Sequence, residues 1–311
     1  DARLKNEKKT WDRLILPAKV KEQLQLACKV LQDAQDSKKK GLDVPKVLLY
    51  GPPGTGKTEI ARTIANEAGV NFMEGSLAKM KGKFVGQSGQ MVTELFAKAR
   101  GSAPTVLFLD EIDAVTKQKG SEGGDSFAED IVNVLLTELE GVSKSDRPVF
   151  VLAATNHHEV MDEAILRRFK RKIEIPKPDE WGRREILKGL FKDQQENVAV
   201  DFDIEEVATI VARRTDGQAG SFLRDLVDKA REEAELVAQK ASPPEPVRLT
   251  RQLVLDEAER LRREGSDGVD PTATWDSLVV SDSTMTELRE LSDALRHMEQ
   301  LQAKGIEPPR G

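Results

Sequence analysis

Cysteine is nearly absent: Cys28 is the only one in 311 residues. No disulfide can therefore form within the chain, which suits a reducing compartment, and a cytoplasmic location is expected. Long apolar runs are missing too. None approaches the roughly 18 residues of a membrane-spanning helix, so no span is expected. Nor is there a surplus of positive charge. The 48 Lys and Arg stand against 54 Asp and Glu, a net charge of −6, which argues against a broad basic face that coats nucleic acid. His157 and His158 adjoin, but no cysteine or third histidine lies near them in sequence, so no metal site is expected at the pair. Because the sequence starts at Asp1 rather than Met, an N-terminal signal or domain outside it stays open.

What is present is charge and a clear alternation of apolar runs. Charged residues make up 33% and apolar ones 38%, a globular composition with a highly charged surface, and the length suits about two domains of ~150 residues. Residues 1–9 read as a linker. A helix is expected over 18–37, with Leu24, Ala27, Val30 and Leu31 on one face and Lys38-Lys39-Lys40 at its C-terminal end. Strands are expected at 47–50, 70–74, 106–110, 149–153 and 172–175, with helices at 57–68, 88–101, 126–140 and 162–167. Runs such as Val106-Leu107-Phe108-Leu109 suit strands covered on both faces. The fold class that follows is α/β: a parallel five-stranded sheet flanked by helices, in a large domain over 10–177. Pro176 and Pro178 break the pattern. Helices at 180–192, 204–213, 221–240 and 250–263, with no strand signal between them, predict a small all-helical domain over 178–264. Residues 265–271 have linker composition.

The end of the chain repeats its beginning. Thr274-Trp275-Asp276 matches Thr10-Trp11-Asp12, an offset of 264 residues, and Gly305 and Pro309 match Gly41 and Pro45 at the same offset. Leu14, Leu24, Leu31 and Lys40 recur as Leu278, Leu288, Leu295 and Lys304. Repetition at domain length marks a duplicated module. Residues 265–311 are therefore read as a linker and the start of a second module, and the protein as the first part of a tandem.

Gly51-Pro52-Pro53-Gly54-Thr55-Gly56-Lys57-Thr58 fits G-x-x-x-x-G-K-[ST] between an apolar strand and an amphipathic helix. Glycines let such a loop turn its N–H groups onto phosphate oxygens, and the following helix adds its positive dipole end. Lys57 is then expected on the β- and γ-phosphates of a nucleotide and the Thr58 hydroxyl on Mg²⁺, with Glu59 in the first turn. The sheet is thus read as that of a P-loop NTPase, with a nucleotide polyphosphate and Mg²⁺ as its ligands. Thr105-Val106-Leu107-Phe108-Leu109 runs into Asp110, Glu111 and Asp113. An aspartate at a strand's C-terminal end can hold Mg²⁺, and Glu111 is placed to deprotonate a water. Alone, the same acids would be an ordinary strand-to-helix corner.

Gly51–Thr58, Leu109-Asp110-Glu111-Ile112-Asp113 and Ala153-Ala154-Thr155-Asn156 together resemble the AAA family of ATPases, over residues 10–264. The resemblance implies that Asn156 senses the γ-phosphate, an amide being able to donate and accept at once. It implies that Arg167 and Arg168, in the compact Leu166-Arg167-Arg168-Phe169 form similar to the spastin and katanin group, reach a neighbouring subunit's nucleotide. A ring of self-associated subunits, six in the family, goes with that. Lys83-Phe84-Val85-Gly86 matches the loop that grips a polypeptide in the ring's pore, although by composition Phe84 and Val85 read as core residues. Gly220 and Ser221 match the lid-helix start over the adenine. Phe222 stands where relatives have an acid and Leu190 where many have a histidine, two departures at the nucleotide's edge. The implied function is Mg²⁺-dependent ATP hydrolysis that remodels, unfolds or translocates a protein, with no adaptor identified. A nucleic-acid motor or loader, or a mainly structural ATP-binding ring module, are the alternatives.

Overall fold

Three uninterrupted apolar runs become the inner strands of one sheet. The computed structural model describes residues 10–36, 46–77, 88–114, 126–142, 149–196, 198–240 and 246–265. The pore-loop candidate Lys83–Gly86, the run Lys38–Lys40 and the repeat over 266–311 lie outside them. Strands β1 (Val47–Tyr50), β2 (Asn71–Ser76), β3 (Thr105–Asp110), β4 (Val149–Thr155) and β5 (Arg171–Glu174) run parallel in the order β2-β3-β4-β1-β5. The inner strands β3, β4 and β1 are buried along almost their whole length. Edge strands β2 and β5 carry exposed polar residues, as a strand with one open side can.

Side chains alternate between two cores because successive strand residues point to opposite faces. On one face Leu48, Leu107, Leu109, Val151 and Ala153 pack with residues of α3 (Ser88–Gly101) and α4 (Ser126–Val142). On the other, Leu49, Val106, Phe108, Phe150 and Leu152 pack with α1 (Ala18–Asp36) and α2 (Lys57–Ala68). The short helix α5 (Glu163–Arg168) precedes β5, and Asp162 caps it by accepting from the Ala164 N–H at 2.8 Å.

The C-terminal part gathers α6 (Glu180–Gln194), α7 (Ile204–Arg214), α8 (Gly220–Lys240) and α9 (Arg251–Gly265) around a third core that includes Phe191, Val211, Leu226 and Val254. Asp179 and Asp203 cap α6 and α7 through the N–H groups of Gly182 and Glu206. This part is helical as expected, with one correction. Ala199–Asp201 (β6) pairs in parallel with Arg248–Thr250 (β7), so it is not wholly helical. Strands of three residues are too short to show a period of two, and the pairing joins segments far apart in sequence. Arg183, almost fully buried, ties the pieces together. Its Nε donates to the Ala212 carbonyl, Nη1 to the Pro178 carbonyl and Nη2 to Asp216 Oδ1. Among the described residues no helix is long and apolar enough to cross a membrane.

Phe150, the second residue of β4, is fully buried. Phe150→Ala is expected to destabilise the fold by about 3–5 kcal/mol in denaturant-unfolding measurements, from lost transfer energy and the cavity left behind.

Candidate active site

The sheet order sets the C-terminal ends of β3, β4 and β1 side by side, the usual place for a ligand in an open α/β sheet. The loop after β1 is forced into its shape by backbone crowding. Gly51 has φ +141°, and a Cβ there would stand 2.3 Å from the Ile175 carbonyl oxygen. Ile175 in turn donates its N–H to the Tyr50 carbonyl at 2.8 Å. Gly54 at φ +73° and Gly56 at φ +89° occupy the left-handed region that only glycine enters freely. No side chain caps the N-terminus of α2 at Gly56, so its first-turn N–H groups suit an outside anion.

Lys57 opens that helix and is 8% exposed. Its ammonium donates to the carbonyls of Gly51 and Pro52, both at 2.8 Å, so both partners are neutral. Burial pulls its pKa below the ordinary lysine value, with Asp110 and Asp113 pulling back upward. Thr55 steadies the loop by donating to the same Pro52 carbonyl at 3.0 Å. Asp110, at the end of β3, has its pKa raised chiefly by burial, against the hydrogen bonds it accepts from the Glu111 N–H and the Thr58 hydroxyl. A half-buried carboxyl beside a threonine hydroxyl is the sparse, hard oxygen set that Mg²⁺ takes alongside waters and phosphate. Together with the glycine cradle and the buried ammonium, these residues fit Mg²⁺ with a nucleotide polyphosphate.

Glu111 has φ +52°, an outlier for a residue with a side chain, of the kind that gathers at functional sites. It directly follows β3 and leads into a short 3₁₀ turn, Ile112–Ala114, closed by the Ala114 N–H on the Glu111 carbonyl. The register pairs Tyr50 with Thr155, so Asn156 follows one step on, abreast of Gly51. The structure therefore brings Lys57, Thr58, Asp110, Glu111 and Asn156 to one sheet edge.

Gly220 and Ser221 come to the same edge from the C-terminal part. The Ser221 N–H donates to the Gly54 carbonyl at 3.0 Å, and a Cβ on Gly54 would stand 2.0 Å from Ser221 Oγ. Phe222 and Leu190, the two departures from the family pattern, are partly buried against the third core. Arg167 and Arg168 part company. Arg167 is 69% exposed and pairs with Glu163 on its own helix at 2.7 Å, which raises its pKa. Arg168 is 35% exposed and pairs with Glu140 of α4.

Two groups escaped sequence reasoning. The Thr155 hydroxyl donates to Asp113 Oδ1 at 2.6 Å and accepts from the His157 N–H at 2.9 Å. His158 lies over Tyr50, ring centroids 4.3 Å apart. Both depend on β1, β3 and β4 being neighbours, which no local pattern announces. Among the described residues no group of three or more His, Cys, Asp and Glu side chains could hold a metal ion by itself. Cys28 is buried, and burial pushes its thiol up to about 11.

Gly51→Ala is expected to destabilise the protein by about 3 kcal/mol or more, since the new methyl meets a backbone carbonyl. Gly69→Ala, at φ +65° with nothing within 4 Å of its Cβ, is expected to cost only about 1–2 kcal/mol. Thermal or denaturant unfolding of the two variants checks the contrast.

Comparisons with known proteins agree with this geometry. Residues 47–177 match the family described as "ATPase family associated with various cellular activities (AAA)". The chain is 43% identical over 217 residues to the ATP-dependent zinc metalloprotease FtsH 2 of Symbiobacterium thermophilum, covering 68% of this chain and 36% of that protein. It is 38% identical over 220 residues to the proteasome-activating nucleotidase of Methanopyrus kandleri, covering 69% and 49%. The AAA domain of FIGL-1 superposes with a TM-score of 0.66 at 25% identity, over 92% of this chain and 89% of that one. The chain thus spans about a third to a half of these curated relatives' length. With the phosphate loop and the acids of β3 at one sheet edge, residues 47–177 are an AAA-family ATPase domain, which binds ATP with Mg²⁺ and hydrolyses it.

Proposed function

We propose that ATP hydrolysis at this site drives the remodelling, unfolding or translocation of a polypeptide through the pore of a ring of like subunits, a hexamer. The observation that carries the hydrolytic part is the gathering of Lys57, Asp110, Glu111 and Asn156 at the ends of adjoining strands. In this reading the loop from Pro52 to Gly56 and the start of α2 bind the triphosphate. The Lys57 ammonium exchanges its carbonyl partners for phosphate oxygens, and its burial strengthens that pairing. Thr58 and Asp110 hold Mg²⁺, which when bound offsets charge on the phosphate oxygens. Glu111 takes a proton from the attacking water and the Asn156 amide orients it.

The two arginines divide their work. Arg167, mostly in water, is the one free to reach a neighbouring subunit's nucleotide. Arg168 is drawn back onto α4 by Glu140 and supports the helix that presents it. The names of the relatives support a polypeptide substrate: one is an ATP-dependent metalloprotease and the other a proteasome-activating nucleotidase. Lys83-Phe84-Val85-Gly86 would grip that polypeptide. The compact arginine pair supports a likeness to the spastin and katanin group, and the 264-residue repeat supports reading this site as the first of two in a tandem protein. The single buried cysteine fits a cytoplasmic setting.

Glu111→Gln is expected to retain ATP binding and lose turnover by at least about 10²-fold, the usual worth of a general base. Steady-state phosphate release and nucleotide binding measured on the same samples check it, and full turnover in the variant would overturn the assignment. An unfolded polypeptide is expected to stimulate phosphate release more than single-stranded DNA does. The reverse order would favour a nucleic-acid motor.

A further inference from the structure

The acids after β3 and the asparagine after β4 stand on different strands, and hydrolysis asks for them at a fixed separation. We infer that Thr155 and Asp113 are positioning residues that set this separation, a role that rests on the proposed parts of Glu111 and Asn156. Thr155 ends β4 and is 1% exposed. Its hydroxyl has one proton to give and gives it to Asp113 Oδ1 at 2.6 Å. Thr155 Oγ1 in turn accepts the His157 N–H at 2.9 Å. That second bond closes a turn around Asn156 and fixes both peptide units that flank it. The first bond reaches across to the 3₁₀ turn that follows Glu111.

Glu111 and Asn156 are thereby joined by the side-chain bridge as well as by the β3–β4 ladder. The ladder alone stops short of them, since its last pair is Leu109 with Ala153. Beyond that pair each strand end is laddered only to its other neighbour, Asp110 to Ser76 of β2 and Thr155 to Tyr50 of β1, and no ladder pair joins the two ends to each other. A short hydrogen bond from a buried hydroxyl to a carboxylate is a charge-assisted one and holds its geometry well. The left-handed backbone at Glu111, which costs about 1–3 kcal/mol where it is not over-determined, gains an anchor two residues downstream. Asp113 acts here through Thr155 and not on the nucleotide.

The variants Thr155→Val and Thr155→Ser separate this role from plain packing, since valine keeps the shape and loses the hydroxyl while serine keeps the hydroxyl. In the full 311-residue chain, Thr155→Val is expected to lower kcat by roughly 10- to 10²-fold, as a misplaced reacting group does, with nucleotide Kd within about twofold of wild type. Thr155→Ser is expected to restore kcat to within about twofold. Asp113→Asn, which keeps an acceptor oxygen, should lose less than Asp113→Ala. A readout free of turnover accompanies these: hydrogen exchange of the His157 amide in the nucleotide-free protein should quicken in Thr155→Val and stay slow in Thr155→Ser. If Thr155→Val keeps wild-type kcat while Glu111→Gln loses it, the positioning role is overturned and the hydrolytic assignment stands. Equal loss of kcat in the valine and serine variants, or an unchanged His157 amide, also overturns it. Full turnover in Glu111→Gln instead removes the reading on which the role rests.

Discussion

A lysine ammonium held almost out of water at the end of β1 is the constraint on which the rest of the site depends. Taking a cation from water costs several kcal/mol unless partners replace the solvent. Here the replacements are two carbonyls of the loop itself, reinforced at longer range by Asp110 and Asp113. Two carbonyls can turn inward only if the loop folds through left-handed positions. That requires glycine at 54 and 56, and the tight approach of Ile175 requires it at 51. Ile175 follows directly after β5, so the position of the edge strand and the shape of the phosphate loop are one problem with one solution. The fully buried strand β4 on the other side of β1 keeps that solution rigid.

Much of this was legible in the sequence. Val47-Leu48-Leu49, Val106–Leu109 and Val149–Ala154 announce inner strands because both of their faces are covered, leaving no polar residue to blur the run. The loop is legible because its glycines are fixed by backbone geometry and not by neighbours. Asp110 and Glu111 stand out because they end an apolar run in a chain that also carries the phosphate loop; alone they would read as a strand-to-helix corner. What was not legible is non-local. The bond from Thr155 to Asp113 spans 42 residues, and only the strand order makes them neighbours. The split between Arg167 and Arg168 needs the position of Glu140 on another helix. The pair of β6 with β7 is too short to leave a periodic trace.

The C-terminal part shows how a buried guanidinium can take the place of an extended interface. Arg183 holds the carbonyl of Pro178, where the chain leaves the sheet, together with the end of α7 and the turn at Asp216. The three are separate in sequence and share one side chain. Its Nε and Nη1 donate to backbone carbonyls and its Nη2 to the exposed Asp216, so the exit from the sheet and the approach to Gly220 are tied to the same residue.

Ser221 meets Gly54 through one backbone hydrogen bond, and that makes α8 a lever with a very short arm. Its 21 residues span about 30 Å at 1.5 Å per residue. A tilt of about 5° at the end that touches the phosphate loop therefore carries the other end through about 3 Å, by the same helix geometry. A change at Gly54 too small to disturb the sheet arrives at Lys240 as a displacement the size of an atom, which a surface packed there would register.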